Sequence, residues 1–383
     1  ASFMIAGRRS YQDLLLRLSP DDDINTIVAN FYDLNAKVNY KFNDKSRLFL
    51  SAYYGKDAFG VPGLVRFNWG NLGLTGRWNY LINDKLFLNV SSIYSDYDYA
   101  IGFAFPTAKI DNVAYINNQS NKVAFSWFPN AKHQVNFGAE ATVYDFEPFS
   151  VRADFIDSAI ADISIELQNE YAVEPSFYIE DNWKINDRLT VRGGLRYSSF
   201  YNIGARDVVN YNPTSAGTYR NERIIDTTSY SSGDIISAFE GLQGLEPRLA
   251  INYRSSENSS VKLSYNRMRQ YIHLISNTTS SLPIDTWRPA GQYIKPGTAD
   301  QVAIGVNRNF KNGEWQLSLE TYYKSMRDLV DYKNGAQPTG TDNIEVDLMT
   351  GRGRSYGLEV QLDKKFGALT GWIAYTFSRS ELQ

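Results

Sequence analysis

The feature that most constrains this fold is an alternation of apolar and polar side chains kept up over unusual lengths. Tyr32, Leu34, Ala36, Val38, Tyr40 and Phe42 fall on one side of a run, and Asp33, Asn35, Lys37, Asn39 and Lys41 on the other. A period of two describes a strand with one apolar and one wet face. The run covers about 15 residues, near 50 Å at ~3.4 Å each. Ordinary globular strands average about 5–6 residues. A bilayer crossing takes only about 9–11 tilted residues, so such a strand spans a membrane and projects beyond it. The pattern returns near the C-terminus. Tyr356, Leu358, Val360 and Leu362 oppose Gly357, Glu359, Gln361 and Asp363, and a reversal at 365–368 leads to a second strand with Leu369, Gly371, Ile373, Tyr375 and Phe377 on one face.

This hairpin recurs about seven times. Short turns are expected at 43–45, 83–85, 129–132, 186–188, 256–258, 311–313 and 365–368, several built on Asn-Asp pairs that accept turn geometry and bond their own backbone. The opposite ends carry long polar connections, at about 11–26, 55–67, 98–112, 148–165, 204–244, 272–298 and 329–352. Short turns at one end and long loops at the other mark an outer-membrane barrel, with the short turns periplasmic. One first strand plus seven hairpins makes about 15 strands, an all-β, transmembrane antiparallel β-barrel. Single-chain bacterial barrels close with even strand numbers. The chain is therefore expected to be an internal part, residues 1–383, of one larger barrel domain. The signal peptide and last strands are expected to lie outside it, and so wide a barrel is either filled by something or an open pore.

Composition narrows the function. The net charge is −3, without a basic block, which argues against nucleic acid as a partner. There are no cysteines and only two histidines, His133 and His273, so neither a thiolate nor a His-rich metal centre is expected, and no cofactor. No apolar run approaches the ~20 residues of a membrane helix. The mean hydropathy of −0.39 is uninformative for a barrel, which shows lipid only every second residue. In the 11–26 connection, Leu14, Leu15 and Leu18 at helical spacing read as a short helical turn. The acidic trio Asp21, Asp22, Asp23 leaves a calcium site as the alternative reading, although calcium usually takes six or more oxygen ligands.

No catalytic constellation is present. Lys37, Arg77, Glu140, Arg192, Arg196, Glu320 and Glu359 sit at period two opposite lipid-facing residues, and read as charges of a solvated lumen wall, facing whatever fills it. His133 at a short turn and His273 at a strand end read as surface residues. Ligand contacts are sought in the loops. Trp287, Arg288 and Tyr293 in one, and Arg206 and Tyr219 in the longest, are the candidates, since aromatic and Arg side chains dominate binding hot spots. The alternatives are loop packing around Pro283, Pro289 and Pro296, and a cover or lid over the barrel mouth.

Several stretches carry a family resemblance. Phe177, Tyr178, Ile179, Glu180, Asp181, Asn182, Trp183 and Lys184, followed by Leu189, Val191, Gly194, Leu195, Arg196 and Tyr197, resemble a recurring hairpin of TonB-dependent receptors. Glu246, Pro247, Arg248 and Leu249 resemble the strand after it. Ile294, Lys295, Pro296 and Gly297 resemble the Lys-Pro-Glu opening of a later strand, with Gly297 where Glu is usual, and Glu320 to Val330 resembles the next. Ala6, Gly7, Arg8, Arg9, Ser10 and Tyr11 resemble the branch with an N-terminal carboxypeptidase-regulatory-like domain. The resemblance implies a 22-stranded barrel in the outer membrane of a Gram-negative bacterium. It implies a plug that contacts the TonB complex, and import of a scarce nutrient: a siderophore, glycan, peptide or similar. A surface lipoprotein or larger outer-membrane complex is a possible partner. The alternatives are a receptor-like barrel that serves as a structural or docking subunit, and a passive porin.

Overall fold

The computed structural model describes residues 1–155, 161–214, 218–236, 242–275, 286–336 and 343–383. Its frame is one antiparallel sheet of 18 strands. Fifteen form a continuous wall: β1 (Ser2–Arg9), β2 (Val28–Lys41), β3 (Ser46–Val61), β4 (Val65–Asn83), β5 (Leu86–Ala104), β6 (Ala108–Asn130), β7 (His133–Phe155), β8 (Glu170–Lys184), β9 (Leu189–Ser199), β10 (Gln243–Ser256), β11 (Ser259–Gln270), β12 (Gly297–Phe310), β13 (Trp315–Tyr332), β14 (Leu348–Lys364) and β15 (Gly371–Leu382). Each pairs with the next, in an up-and-down meander. Three short strands, Ile163–Glu166, Tyr201–Ile203 and Ile235–Ile236, hang on one rim. β6 and β7 reach 23 residues each, more than twice what a bilayer crossing needs.

All seven expected short turns lie at one end of the wall, as links of six residues or fewer. Asn43, Asn83, Asn130 and Asn186 each accept a backbone N–H two residues on through Oδ1. This Asx bond reverses the chain without glycine.

The alternation sets the two faces. Leu34, Val38, Leu358 and Phe377 stay between 44% and 54% exposed on the convex side. The opposite face holds Ala172, Ser176, Ser198 and Glu246, all buried. Curvature brings concave neighbours together, and the long connections fold in over them. Buried apolar side chains collect at the long-loop end: Ala172, Phe200, Leu242, Tyr271 and Ala290 in one cluster, Ile275, Ile294, Ile344 and Leu348 in a second, and Tyr99, Ile101 and Ala114 in a third.

Two connections are shorter than expected. The ladder of β3 and β4 runs up to Val61↔Val65, and that of β5 and β6 up to Ala104↔Lys109. Most of 55–67 and 98–112 is therefore strand. The misreading has a physical reason. At this end the outward row reads Lys56, Gly70 and Asp98 in place of apolar side chains, so the alternation fades. The 11–26 connection holds two short helices, Gln12–Leu16 and Asp22–Asn25, and Asp21 caps the second by accepting from the N–H of Asp23 at 2.9 Å. The acidic trio is thus a helix start, and the described residues contain no cluster able to hold a metal ion.

Candidate functional site

At the rim, two long connections converge on the first residue of β8, and a third lies beside them. Glu170 lies across the ladder from Phe146, which is fully buried. Its Oε2 accepts from Arg206 Nη1 at 2.7 Å and its Oε1 from Arg288 Nη1 at 2.5 Å. Glu170 and Arg288 are both at least 95% buried. Arg206 opens the hairpin Arg206–Tyr211/Ile224–Tyr230, and Arg288 belongs to the hairpin Ile272–Ile275/Thr286–Pro289. One carboxylate thus ties two separate connections to the wall. Burial works against its charge, but the two guanidinium groups outweigh burial and hold its pKa below the usual glutamate value.

Further bonds knit the same segments. Asn202 Nδ2 donates to the Ala290 carbonyl at 2.8 Å, and the Tyr293 hydroxyl to the Val209 carbonyl at 2.8 Å. Tyr211, Tyr219 and Tyr293 meet in a three-ring cluster, with centroids 4.5 Å apart for Tyr219–Tyr293 and 5.3 Å for Tyr211–Tyr293. Burial pushes the Tyr293 hydroxyl up to about 12. The third connection brings Glu345, in the turn Ile344–Val346, against Tyr211. Glu170, Asn202, Arg206, Arg288, Tyr293 and Glu345 all line a cavity of about 60 Å³. Below it, Ser198 donates to Glu246 at 2.6 Å and meets the Tyr271 hydroxyl at 2.8 Å, while Phe200 stacks on Tyr271 at 5.2 Å.

The candidates from sequence are placed as follows. Arg206 and Arg288 share Glu170, and Tyr219 and Tyr293 share the ring cluster. Trp287 sits apart, beside Tyr97, Tyr99, Ala114, Tyr115 and Phe146 around a smaller space. Glu170 and Glu345 were missed. Nothing in their local sequence separates them from other rim carboxylates, since their importance comes from contacts distant in sequence, 36 and 118 residues away for Glu170. His273 is buried, unlike the surface residue expected, and burial lowers its pKa. His133 Nδ1 lies 2.6 Å from Asp181, with its ring stacked on Trp183 at 5.5 Å.

The seven proposed lumen charges share the concave register. Glu140 accepts from Ser120 at 3.2 Å and lies 3.6 Å from Lys122. Arg192 grips Glu180 through two nitrogens at 2.7 and 3.1 Å. Arg196 reaches Glu174 at 3.4 Å and Ser176 at 3.1 Å. Arg77 lies over the Phe49 ring at 4.8 Å. Lys37 is opposite Ser51, and Glu320 is directly opposite Glu359. Of the seven, Glu140, Arg192 and Arg196 make ion pairs among the described residues, and Lys37, Arg77, Glu320 and Glu359 make none.

Glu345 gives a pH prediction. Burial, the largest cause, raises its pKa above the ordinary glutamate value. A raised carboxyl stabilises the folded rim fully below its unfolded pKa, and this is lost as pH rises through the folded value. Glu170 is opposite in sign: its contribution is present above the ordinary value and lost as pH falls through its lowered one. Hydrogen exchange of 343–348 is expected to quicken as pH rises above the ordinary glutamate range, after correction for intrinsic rates. Glu345→Gln is expected to remove that dependence.

A wall of long antiparallel strands, apolar outside and polar inside, with inward-folded loops at one end, is the architecture of a β-barrel wall. The chain belongs to the TonB dependent receptor-like β-barrel family, whose model matches residues 10–383. No curated protein matches the chain by sequence. Solved structures with the same fold include the ferric yersiniabactin uptake receptor FyuA from Yersinia pestis (13% identity, TM-score 0.59, 93% of this chain and 52% of that one). Another is the ferric-catecholate import receptor Fiu from K12 E. coli (14% identity, TM-score 0.62, 100% and 60%). A third is the copper transporter OprC (12% identity, TM-score 0.63, 92% and 55%). The chain spans between 52% and 60% of the length of these structures. Family and neighbours are receptors and transporters, not enzymes.

Proposed function

We propose that the chain is barrel wall of a TonB-dependent transporter in the outer membrane of a Gram-negative bacterium, and that it imports a scarce nutrient captured at the rim. The observation that carries the reading is convergence. Arg206, Arg288, Tyr219 and Tyr293 come from two different connections of a family barrel and meet at one end, with Trp287 nearby. Aromatic and guanidinium groups brought together in a half-desolvated mouth suit capture of a solute from outside. Ferric chelates and copper, named for the neighbouring structures, are the nearest precedents for the cargo. In this reading a plug packs on the concave face, meets Lys37, Glu320 and Glu359, and carries the contact to TonB.

The test is uptake in cells where this protein is the sole route for a growth-limiting nutrient. Uptake is expected to stop when TonB is removed or the proton-motive force is collapsed. Entry that ignores both would make the barrel a passive pore, and no entry for any nutrient would favour a docking subunit. Trp287→Ala is expected to weaken capture by about 2 kcal/mol, roughly thirtyfold, while the barrel keeps its heat-modifiable migration. Unchanged uptake by that variant would remove Trp287 from the site.

A further inference from the structure

The convex face changes character abruptly on β11 to β15. Tyr265, Val302, Tyr323 and Tyr356 form one row across four strands. The next row up, about 7 Å further along the strands, reads Arg267, Asp300, Ser325, Arg354 and Glu381. Arg327 and Arg352 pair in the row above that, and Arg379 flanks Tyr356. Asp300 is held by Arg267 at 2.7 Å and by Arg327 at 2.9 Å. Glu381 is held by Arg354 and, at 2.6 Å, by Arg379. Four guanidinium groups therefore share two carboxylates and leave a positive surplus. Their side chains stay 34–63% exposed, with further N–H donors turned outward.

The surplus belongs to this sector alone of the two compared. One row above Tyr94 and Val143, on β5 to β7, the outward residues are Asp96, Asn117 and Asp145, then Asp98, Tyr115 and Glu147. A chain of net charge −3 has thus gathered arginines on one side of its wall, at the edge where apolar rows end. That edge is where an outer leaflet presents its headgroups. Guanidinium forks match phosphate oxygens bidentately.

We propose that the outward face of β11 to β15, centred on Arg267, Arg327 and Arg354, binds the phosphate of an outer-leaflet lipid headgroup. The arginines are prearranged by Asp300 and Glu381, and Tyr323 and Tyr356 lie against the acyl region below. The inference rests on the membrane placement proposed above. It gives the barrel a lipid-clasping side and an acidic side, and so a preferred orientation towards charged lipid.

The test uses the whole receptor, purified in detergent and reconstituted into vesicles of phosphatidylcholine, with or without phosphatidic acid as a phosphate-monoester probe. Heat-modifiable insertion into phosphatidylcholine alone tests the placement. Retention of phosphatidic acid, read by native mass spectrometry, tests the site. Wild type is expected to retain the lipid, and Arg267→Gln, Arg327→Gln and Arg354→Gln together to lose it. The loss expected is about fivefold per arginine, from ~1 kcal/mol for each basic residue near an anionic surface. Arg327→Gln alone, which leaves Arg267 on Asp300, serves if the triple variant does not fold. Asp96→Asn with Asp98→Asn is the control and is expected to change nothing. Equal retention by wild type and Arg variants overturns the proposal. So does displacement of the lipid by millimolar inorganic phosphate, which would make the patch a free-anion site.

Discussion

Glu170→Ala is expected to release both rim hairpins while leaving the barrel wall intact. The substitution removes the carboxylate that two guanidinium groups share, one of them, Arg288, almost wholly buried. Breaking a buried ion pair by removing one member costs about 3–5 kcal/mol. Arg288 cannot turn to water without dragging Pro289 and Ala290, and Ala290 also donates its N–H to the Tyr271 carbonyl at 2.6 Å. Relief must come by opening the rim. The wall does not depend on this contact, because β7 and β8 pair from Phe146↔Glu170 down to His133↔Trp183. Limited proteolysis of the folded receptor is the measurement. Cleavage within 204–244 and 272–298 is expected to rise by about a hundredfold or more, the factor that ~3 kcal/mol allows when opening is fast. Heat-modifiable migration is expected to stay as in wild type. Arg206→Ala is expected to have a smaller effect than Arg288→Ala, since the Arg206 side chain is 24% exposed and water can replace part of its bond. If Glu170→Ala leaves cleavage unchanged, the carboxylate does not hold the loops.

The wall was legible in the sequence because its determinants are local. Alternation in Tyr32–Phe42 depends only on neighbours two apart, and each Asx turn is written in two or three residues. The same rule failed at 55–67 and 98–112 for a reason of solvent. A strand above the bilayer has water on its outer side, so Lys56 and Asp98 replace apolar residues and the strand resembles a loop. The rim was half legible. Residue type was enough to nominate Arg206, Arg288, Tyr219 and Tyr293. Their meeting depends on Glu170, 118 positions from Arg288, and no periodicity carries information across that span. His273 shows the same limit. It stands where a strand passes into a loop, but the rim buries it together with Tyr271 and Ile275.

Leu50→Arg tests the wall itself and is expected to be the costliest single change outside the rim. Leu50 is 47% exposed on the convex face, between Val38 on β2 and Gly76 on β4. Counted from the turn at 42–45 and allowing ~2.5 Å of height per tilted residue, it stands about 12 Å above the short-turn edge, near the middle of a ~25 Å apolar band. An arginine there faces hydrocarbon and cannot snorkel to either interface without bending the strand. The cost at the midplane of a barrel is about 2–4 kcal/mol. Ser51→Arg, one residue on, puts the same side chain on the concave face, where Lys37 already stands across the ladder. It is expected to cost well under 1 kcal/mol, within the range of exposed substitutions. Urea unfolding of the two variants in the same lipid gives the comparison. The contrast is independent of total stability, because both variants share one strand, one turn and one unfolded state. Equal destabilisation would mean that the convex face does not see lipid, and the receptor reading would lose its membrane.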